Sequence, residues 1–253
     1  MRAYTAFVKK EFREMARTYK LLIMGVVFFI IGVLSPVTAK FLPDLIKSLV
    51  QDGIQITITE PVAMDSWMQF YKNVPQMGLV VFVIVFSGII SNEVSKGTLV
   101  NVLTKGLSRK NVILAKFTSV GLIWTFSYFF CFVISYLYTR FFWEETVPSL
   151  FFSAVCLWFF GLMLAAIVIL GGVLFKSSYG ALLVTAIVIG ALFMLNIIPQ
   201  LQEYNPIMLS SDNVSLLRKE RDVTDFILPL IVNGVLMVAA LTTSVVVFNK
   251  KKL

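Results

Sequence analysis

Long apolar runs separated by short polar stretches dominate this chain. A helix needs about 20 mostly apolar residues to cross a bilayer. Six runs are predicted to cross as helices: residues 21–39, 76–90, 117–138, 150–175, 179–198 and 226–248. The pattern therefore predicts an all-α integral membrane protein with six transmembrane helices, organised as a single transmembrane domain over residues 1–253.

The first 20 residues have a different pattern. Apolar residues recur at helical spacing between Lys and Arg residues; they are Tyr4, Val8, Phe12, Met15 and Tyr19. This pattern predicts a basic amphipathic helix that lies in the headgroup plane with its apolar side toward the acyl chains. The alternative is a positively charged flank that only anchors the first span.

Two features stand out between the first and second spans. Residues 54–59 alternate between apolar and polar side chains, which predicts a short strand. Trp67, Phe70 and Tyr71 lie just before the second span. Aromatic residues in that position are typical of the membrane interface, so we predict an interfacial role for them.

The distribution of charge predicts the orientation. The net charge is +8, and there are 22 Lys and Arg residues and 14 Asp and Glu residues. With both termini in the cytoplasm, 15 of the 22 cations and three of the 14 acids lie on the cytoplasmic side. Lys and Arg accumulate on that side of membrane proteins. Because no soluble basic domain is present, we predict the lipid bilayer rather than nucleic acid as the partner of this charge.

Several kinds of chemistry are missing from the sequence. No charged residue is predicted in the middle of a span, which argues against a proton- or sodium-coupled carrier. No Gly is followed by Lys, so a phosphate-binding loop is absent, and there is no His to serve a metal site. The chain is therefore predicted not to be an enzyme, with no metal site and no cofactor of its own.

Asn196 and Asn233 are the polar exceptions within or beside the apolar runs. They either hydrogen-bond to neighbouring helices or line a substrate pathway. Cys131 and Cys156 lie inside apolar runs and are predicted to be free thiols.

A polar, basic segment, residues 91–117, separates the second and third spans. Its pattern predicts a short amphipathic helix, a turn near Gly106, and a helix that re-enters the membrane. Leu99 and Leu103 belong to an apolar cluster among its polar residues, and exposed apolar residues favour a partner surface. An ordinary basic loop with these residues in the membrane interface fits the pattern equally well.

The residues of this segment resemble the motif of ABC-2 type exporter permeases, in which a Glu precedes Gly-Thr-Leu, a Leu, Ser/Thr-Arg and a Lys entering the third span. The matching residues are Glu93, Gly97, Thr98, Leu99, Leu103, Ser108, Arg109 and Lys116. The sequence departs from the pattern at Lys105-Gly106, where the family often has Pro. The basic N-terminal segment resembles the family's elbow helix, and Asn205-Pro206 resembles its frequent Asn-Pro after the fifth span.

The resemblance implies a two-fold assembly. Two permease subunits, identical or paired with a sister chain, would sit on two cytoplasmic ATPase subunits that bind ATP and Mg²⁺. The segment after span two would be the coupling helix seated on the ATPase. Its coupling residues would be Glu93, Gly97, Thr98, Leu99, Leu103, Ser108 and Arg109, and Phe12 and Arg13 would belong to the elbow helix beside it. Movement of the ATPases would switch the permease between inward- and outward-open states.

The same resemblance suggests a contact between permease subunits through spans one and five. Span five carries small residues that allow close helix approach: Gly180, Ala186, Gly190 and Ala191. Packing within one subunit would use the same residues. An apolar, Phe-rich pathway favours amphipathic or hydrophobic cargo such as a peptide, lipid or drug.

Two alternatives to an exporter remain at this point. One is a membrane sensor or regulatory partner of an ATPase that transports nothing. The other is a secondary carrier, which the missing buried charges disfavour. The size of the chain and its short loops are typical of the bacterial inner membrane.

Overall fold

The computed structural model of the chain describes residues 2–49, 60–95, 97, 99, 104, 108–175 and 177–251; the side chains of residues 2, 3 and 44–49 are not described. Within these residues the protein is helical and contains no strand. The strand predicted at residues 54–59 lies outside the described residues.

The helices follow one another with short connections. They are α1 (Arg2–Arg17), α2 (Lys20–Leu49), α3 (Ala63–Asn73), α4 (Leu79–Phe86), α5 (Ser91–Ser95), α6 (Arg109–Phe142), α7 (Leu150–Leu174), α8 (Ser178–Leu195), α9 (Pro199–Gln202), α10 (Met208–Ser211), α11 (Asn213–Leu217) and α12 (Ile227–Lys250). A π-helical turn, Val74–Gly78, joins α3 to α4, and a 3₁₀ turn, Val223–Phe226, precedes α12.

Six helical segments in the described part of the chain are long and apolar enough to cross a membrane. Spans one to six are Lys20–Pro43, Ala63–Ser95, Arg109–Phe142, Leu150–Leu174, Ser178–Leu195 and Val223–Lys250. The chain is therefore a multi-pass membrane protein. Spans two and three begin well before the predicted residues 76 and 117, because their first turns carry polar residues that the bundle itself accommodates.

Span four is the centre of the bundle. It packs between spans five and six and against span three, while span one packs along span three. Glycines allow these close approaches: a Cβ on Gly161 would overlap the indole ring of Trp124, and one on Gly171 would lie 2.7 Å from Ala181 Cα. Small residues on span four therefore set its distance from spans three and five.

Buried aromatic rings fill the space between spans two and three. Trp67, Phe70 and Tyr71 are almost fully buried, and Phe70 contacts Tyr128 with ring centroids 6.1 Å apart. The interfacial role predicted for these three residues is therefore wrong. The reason is that span two begins at Ala63, which places the three rings inside the helix bundle.

Span two departs from regular α-helical geometry at two places. Pro75 lies in the π-helical turn, and because it has no backbone N–H it interrupts the i→i−4 ladder. Between α4 and α5 the backbone makes tighter bonds: Ile89 N donates to Phe86 O at 3.0 Å, and Glu93 N donates to Ile90 O at 3.1 Å. Such interruptions inside a helix are frequently sites of bending.

Candidate functional site

Both described termini lie at one end of the bundle, which we call the terminal end. Here α1, α5 and the first turns of span three meet the last turns of spans four and six. At the opposite end, Trp143 Nε1 donates to Pro61 O at 2.6 Å and Ser153 Oγ donates to Asn213 Oδ1 at 3.0 Å. The segment predicted to contact a partner leaves span two at the terminal end, so the functional site is sought there.

Helix α1 packs its apolar side against the protein. Phe7 and Met15 are buried, and Tyr4 Oη lies 2.7 Å from Thr118 Oγ1 of span three. The prediction that this side faces the acyl chains is corrected, because spans one and three cover it. Tyr19, predicted to continue the apolar side, is instead exposed in a bend with φ 59° between α1 and span one.

Five charged residues form a closed network where α1, α5 and span three meet; we call it the Lys116 network. Lys116 Nζ lies 2.9 Å from Glu11 Oε2 and 2.7 Å from Glu93 Oε2. Lys10 Nζ lies 3.0 Å from Glu11 Oε1, 2.6 Å from Glu14 Oε2 and 2.6 Å from Glu93 Oε1. The two lysines thus bridge carboxylates from α1 and from the last turn of span two.

The Lys116 network is largely removed from solvent. Glu11, Glu93 and Lys116 are 2%, 7% and 1% exposed. Buried charges are tolerated only when they are paired with good geometry, and each of these three has a partner of opposite charge within 3.0 Å. Three carboxylates this close would repel one another, and the two ammonium groups between them offset that repulsion.

Lys10 is the half-exposed member of the network. Burial alone would lower its pKa, but hydrogen bonds to Glu14 and Glu93 and the charge of Glu11 outweigh that effect, so the pKa of Lys10 is raised. Lys10 therefore stays protonated at neutral pH. The ring of Phe7 adds a cation–π contact, with Lys10 Nζ 5.3 Å and Lys116 Nζ 5.9 Å from its centroid.

The predicted coupling residues are only partly within the described part of the chain. Glu93 belongs to the Lys116 network. Gly97 has φ +66°, a left-handed conformation that favours glycine, and Leu99 is buried. Thr98 and Leu103 lie outside the described residues. The coupling role of all these residues stays a prediction.

Ser108 and Arg109 organise the start of span three. Ser108 is the N-cap, and its Oγ accepts a hydrogen bond from Asn111 N at 3.3 Å. Arg109 donates to the carbonyl oxygens of Phe248, Asn249 and Lys251 at 2.6, 3.0 and 2.7 Å. A cation suits the C-terminal end of a helix, so Arg109 ties the start of span three to the end of span six.

Two further contacts join helix ends at the terminal end. Lys251 Nζ donates to Val173 O of span four at 2.6 Å. Ser178 Oγ, at the start of span five, donates to Asn92 Oδ1 of α5 at 3.2 Å. Together with the Lys116 network, these bonds link the segment after span two to the ends of the other helices.

The remaining predicted residues have distinct places. Phe12 of α1 is half-buried against the core, whereas Arg13 is exposed. Asn233 Nδ2 donates to Phe159 O of span four at 3.0 Å. Asn196 is the C-cap of span five, and Asn205 Nδ2 lies 3.4 Å from its Oδ1. Both asparagines therefore make the contacts expected for helix packing, and a pathway role for them stays a prediction.

An apolar groove opens between spans two, four and five. Its volume is about 350 Å³. Its lining residues include Pro75, Val83, Phe160, Ala186 and Ile189. The irregular π-helical turn of span two therefore borders this groove, and no charged residue is among its lining residues.

The Lys116 network was not predicted from the sequence. Lys116 had been placed before the third span, and Lys10, Glu11 and Glu14 had been treated only as polar residues of an amphipathic helix. One signal was present: Glu11 lies four residues from both Phe7 and Met15, which puts an acid on the apolar side of the helix. An acid in that position indicates a buried cationic partner.

Comparison with known proteins agrees with this architecture. The family described as ABC-2 family transporter protein matches residues 5–230. The chain is also 21% identical over 182 residues to an uncharacterized transmembrane protein, YxlG, of Bacillus subtilis (strain 168), and this match covers 70% of each chain. The match to the family extends from α1 into span six, and the chain therefore belongs to the ABC-2 family of transporter membrane proteins.

Proposed function

We propose that this chain is the permease subunit of an ATP-driven exporter, with separate ATPase subunits bound at the terminal end. The observation that carries the proposal is the Lys116 network. It joins Glu93, at the start of the segment after span two, to α1 and to span three through buried ion pairs. A push on that segment would therefore move α1 and span three with it.

The packing around the network supports a mechanical role. The helix is interrupted between α4 and α5, so α5 can tilt without carrying the whole of span two. Arg109 and Lys251 extend the connection to spans six and four. Coupling of this kind requires two discrete arrangements of packed helices and no chemistry within the spans.

The apolar groove supports a pathway for hydrophobic or amphipathic cargo such as a peptide, lipid or drug. Export would use two permease subunits, with the groove-bearing spans two and five near their contact. The terminal end would face the cytoplasm, as the excess of Lys and Arg there favours, in the inner membrane of a bacterium. ATP and Mg²⁺ would bind only to the ATPase subunits.

The proposal is tested by affinity purification of the chain, expressed together with its chromosomal neighbours, followed by an ATP hydrolysis assay. We expect an ATPase subunit in equal amount. Leu99→Asp should weaken its retention, because Leu99 is apolar and buried beside the expected contact, while Val235→Asp on exposed span six serves as the control. Purification of the chain with no nucleotide-hydrolysing partner would contradict the proposal and favour a carrier or sensor.

A further inference from the structure

Three cations form a row along the outer side of α1. Lys9, Arg13 and Arg17 are spaced four residues apart, so they lie on one stripe of the helix, and all three are exposed. This stripe is opposite the buried side that carries Phe7 and Met15. In the described part of the chain, no acid forms an ion pair with any of the three.

The acids of α1 do not neutralise this stripe. Glu11 is buried against Lys116 at 2.9 Å, and Glu14 is held by Lys10 at 2.6 Å. Both carboxylates are therefore engaged by the Lys116 network. The positive charge of the outer stripe remains available to a partner of negative charge.

The contacts of α1 fix its direction relative to the membrane. Tyr4 contacts Thr118, and Glu11, seven residues later, contacts Lys116. Seven residues of helix advance about 10 Å, yet both contacts fall at nearly the same level of span three. Helix α1 therefore crosses span three steeply and runs along the membrane plane, and its outer stripe points sideways from the bundle.

The stripe lies where lipid headgroups begin. Arg17 is followed by the bend at Tyr19, and the exposed apolar side of span one starts directly after it with Leu22 and Val26. A cationic surface bordering a lipid-facing apolar surface lies at the level of the lipid phosphates. Guanidinium groups bind phosphate oxygens through two parallel hydrogen bonds.

We propose that Lys9, Arg13 and Arg17 bind the headgroups of anionic phospholipids in the leaflet at the terminal end. This binding would hold α1 in the membrane plane and thereby support the Lys116 network on its other side. It depends on the lipid composition alone and requires neither an ATPase nor a cargo.

The test compares lipid selectivity in the full chain reconstituted into vesicles of phosphatidylcholine containing spin-labelled phosphatidylglycerol or phosphatidylcholine. We expect the wild-type chain to prefer phosphatidylglycerol, and K9Q/R13Q/R17Q to lower this preference at least about fivefold, since one cation near an anionic surface contributes roughly that factor. The matched control is K72Q/R218Q/K219Q, which removes three exposed cations at the opposite end and should retain most of the preference.

Two further results decide the proposal. In the wild-type chain the preference should decrease as salt is raised, because surface charge is screened, and a preference that salt does not change would overturn it even if the triple variant misfolds. An unchanged preference in a folded K9Q/R13Q/R17Q variant would also overturn it. If that variant instead loses only the co-purifying ATPase, the stripe is a protein contact and the lipid proposal is wrong.

Discussion

Lys116 Nζ lies 2.7 Å from Glu93 Oε2, which joins the last turn of span two to the third turn of span three in a site almost closed to solvent. Glu11 of α1 completes the arrangement from the other side of the same ammonium group. Three separate parts of the chain are thus held by one buried cation. Removal of that cation should have consequences in all three.

Lys116→Met should destabilise the protein strongly. It leaves Glu11 and Glu93 buried with less compensation, and removal of one partner from a buried ion pair costs about 3–5 kcal/mol. Thermal unfolding in detergent measures the effect. The triple variant K116M/E11Q/E93Q should recover much of the stability because it removes the buried charges together; equal stability of the wild-type chain and the single variant would contradict the burial of this network.

Arg109→Gln should loosen the end of span six. The change removes hydrogen bonds to three carbonyl oxygens; since the site is partly exposed, we expect local opening to become easier by about 1–2 kcal/mol. Amide hydrogen exchange at residues 248–251 reports it. Lys110→Gln, at the exposed neighbouring position, is the control and should leave exchange there unchanged.

Gly161→Ala should disturb the packing of spans three and four. The added Cβ overlaps the indole of Trp124, whose Nε1 is held by Trp158 O at 2.9 Å, and overpacking of this kind costs about 1–3 kcal/mol. Gly190→Ala adds the same methyl group in open space and should be tolerated. Similar melting temperatures for the two variants would show that the Gly161 contact can relax freely.

A contact between two copies of the chain through span five would bring Ile187 of each copy close together. We expect Ile187→Cys to form an oxidative cross-link in membranes, whereas Val235→Cys on span six should not, although both positions are 61% exposed. Cys131 and Cys156 are buried and should not interfere. Cross-linking only at residue 235 would place the contact on span six instead.

The sequence predicted the membrane class, the six spans and the family because long apolar runs and the residues from Glu93 to Lys116 are visible without a structure. It did not predict the Lys116 network, since ion pairing between α1, α5 and span three depends on how helices distant in sequence cross. The misplaced aromatic residues have a related cause. Trp67 and Phe70 precede the apolar run, and only the tertiary packing shows that their helix has already entered the bundle.

Arg109 illustrates the same limit in another way. Its resemblance to a family position predicted a role at the turn, while its contacts with the end of span six depend on the arrangement of helix ends. Local signals were more reliable: Ser108 lies where an N-cap is expected, and Gly97 adopts the left-handed conformation that glycine permits.

The most direct test of the central claim measures whether ATP reaches the groove through the Lys116 network. Ala186→Cys lines the groove between spans two and five, and its labelling rate is compared in the ATPase complex without nucleotide and with trapped ATP. We predict a several-fold change in the wild-type background. In the K116M/E11Q/E93Q background ATP should still be hydrolysed, but the labelling rate should no longer respond. The same nucleotide-dependent change in both backgrounds would contradict the account, because the network would then be dispensable for coupling.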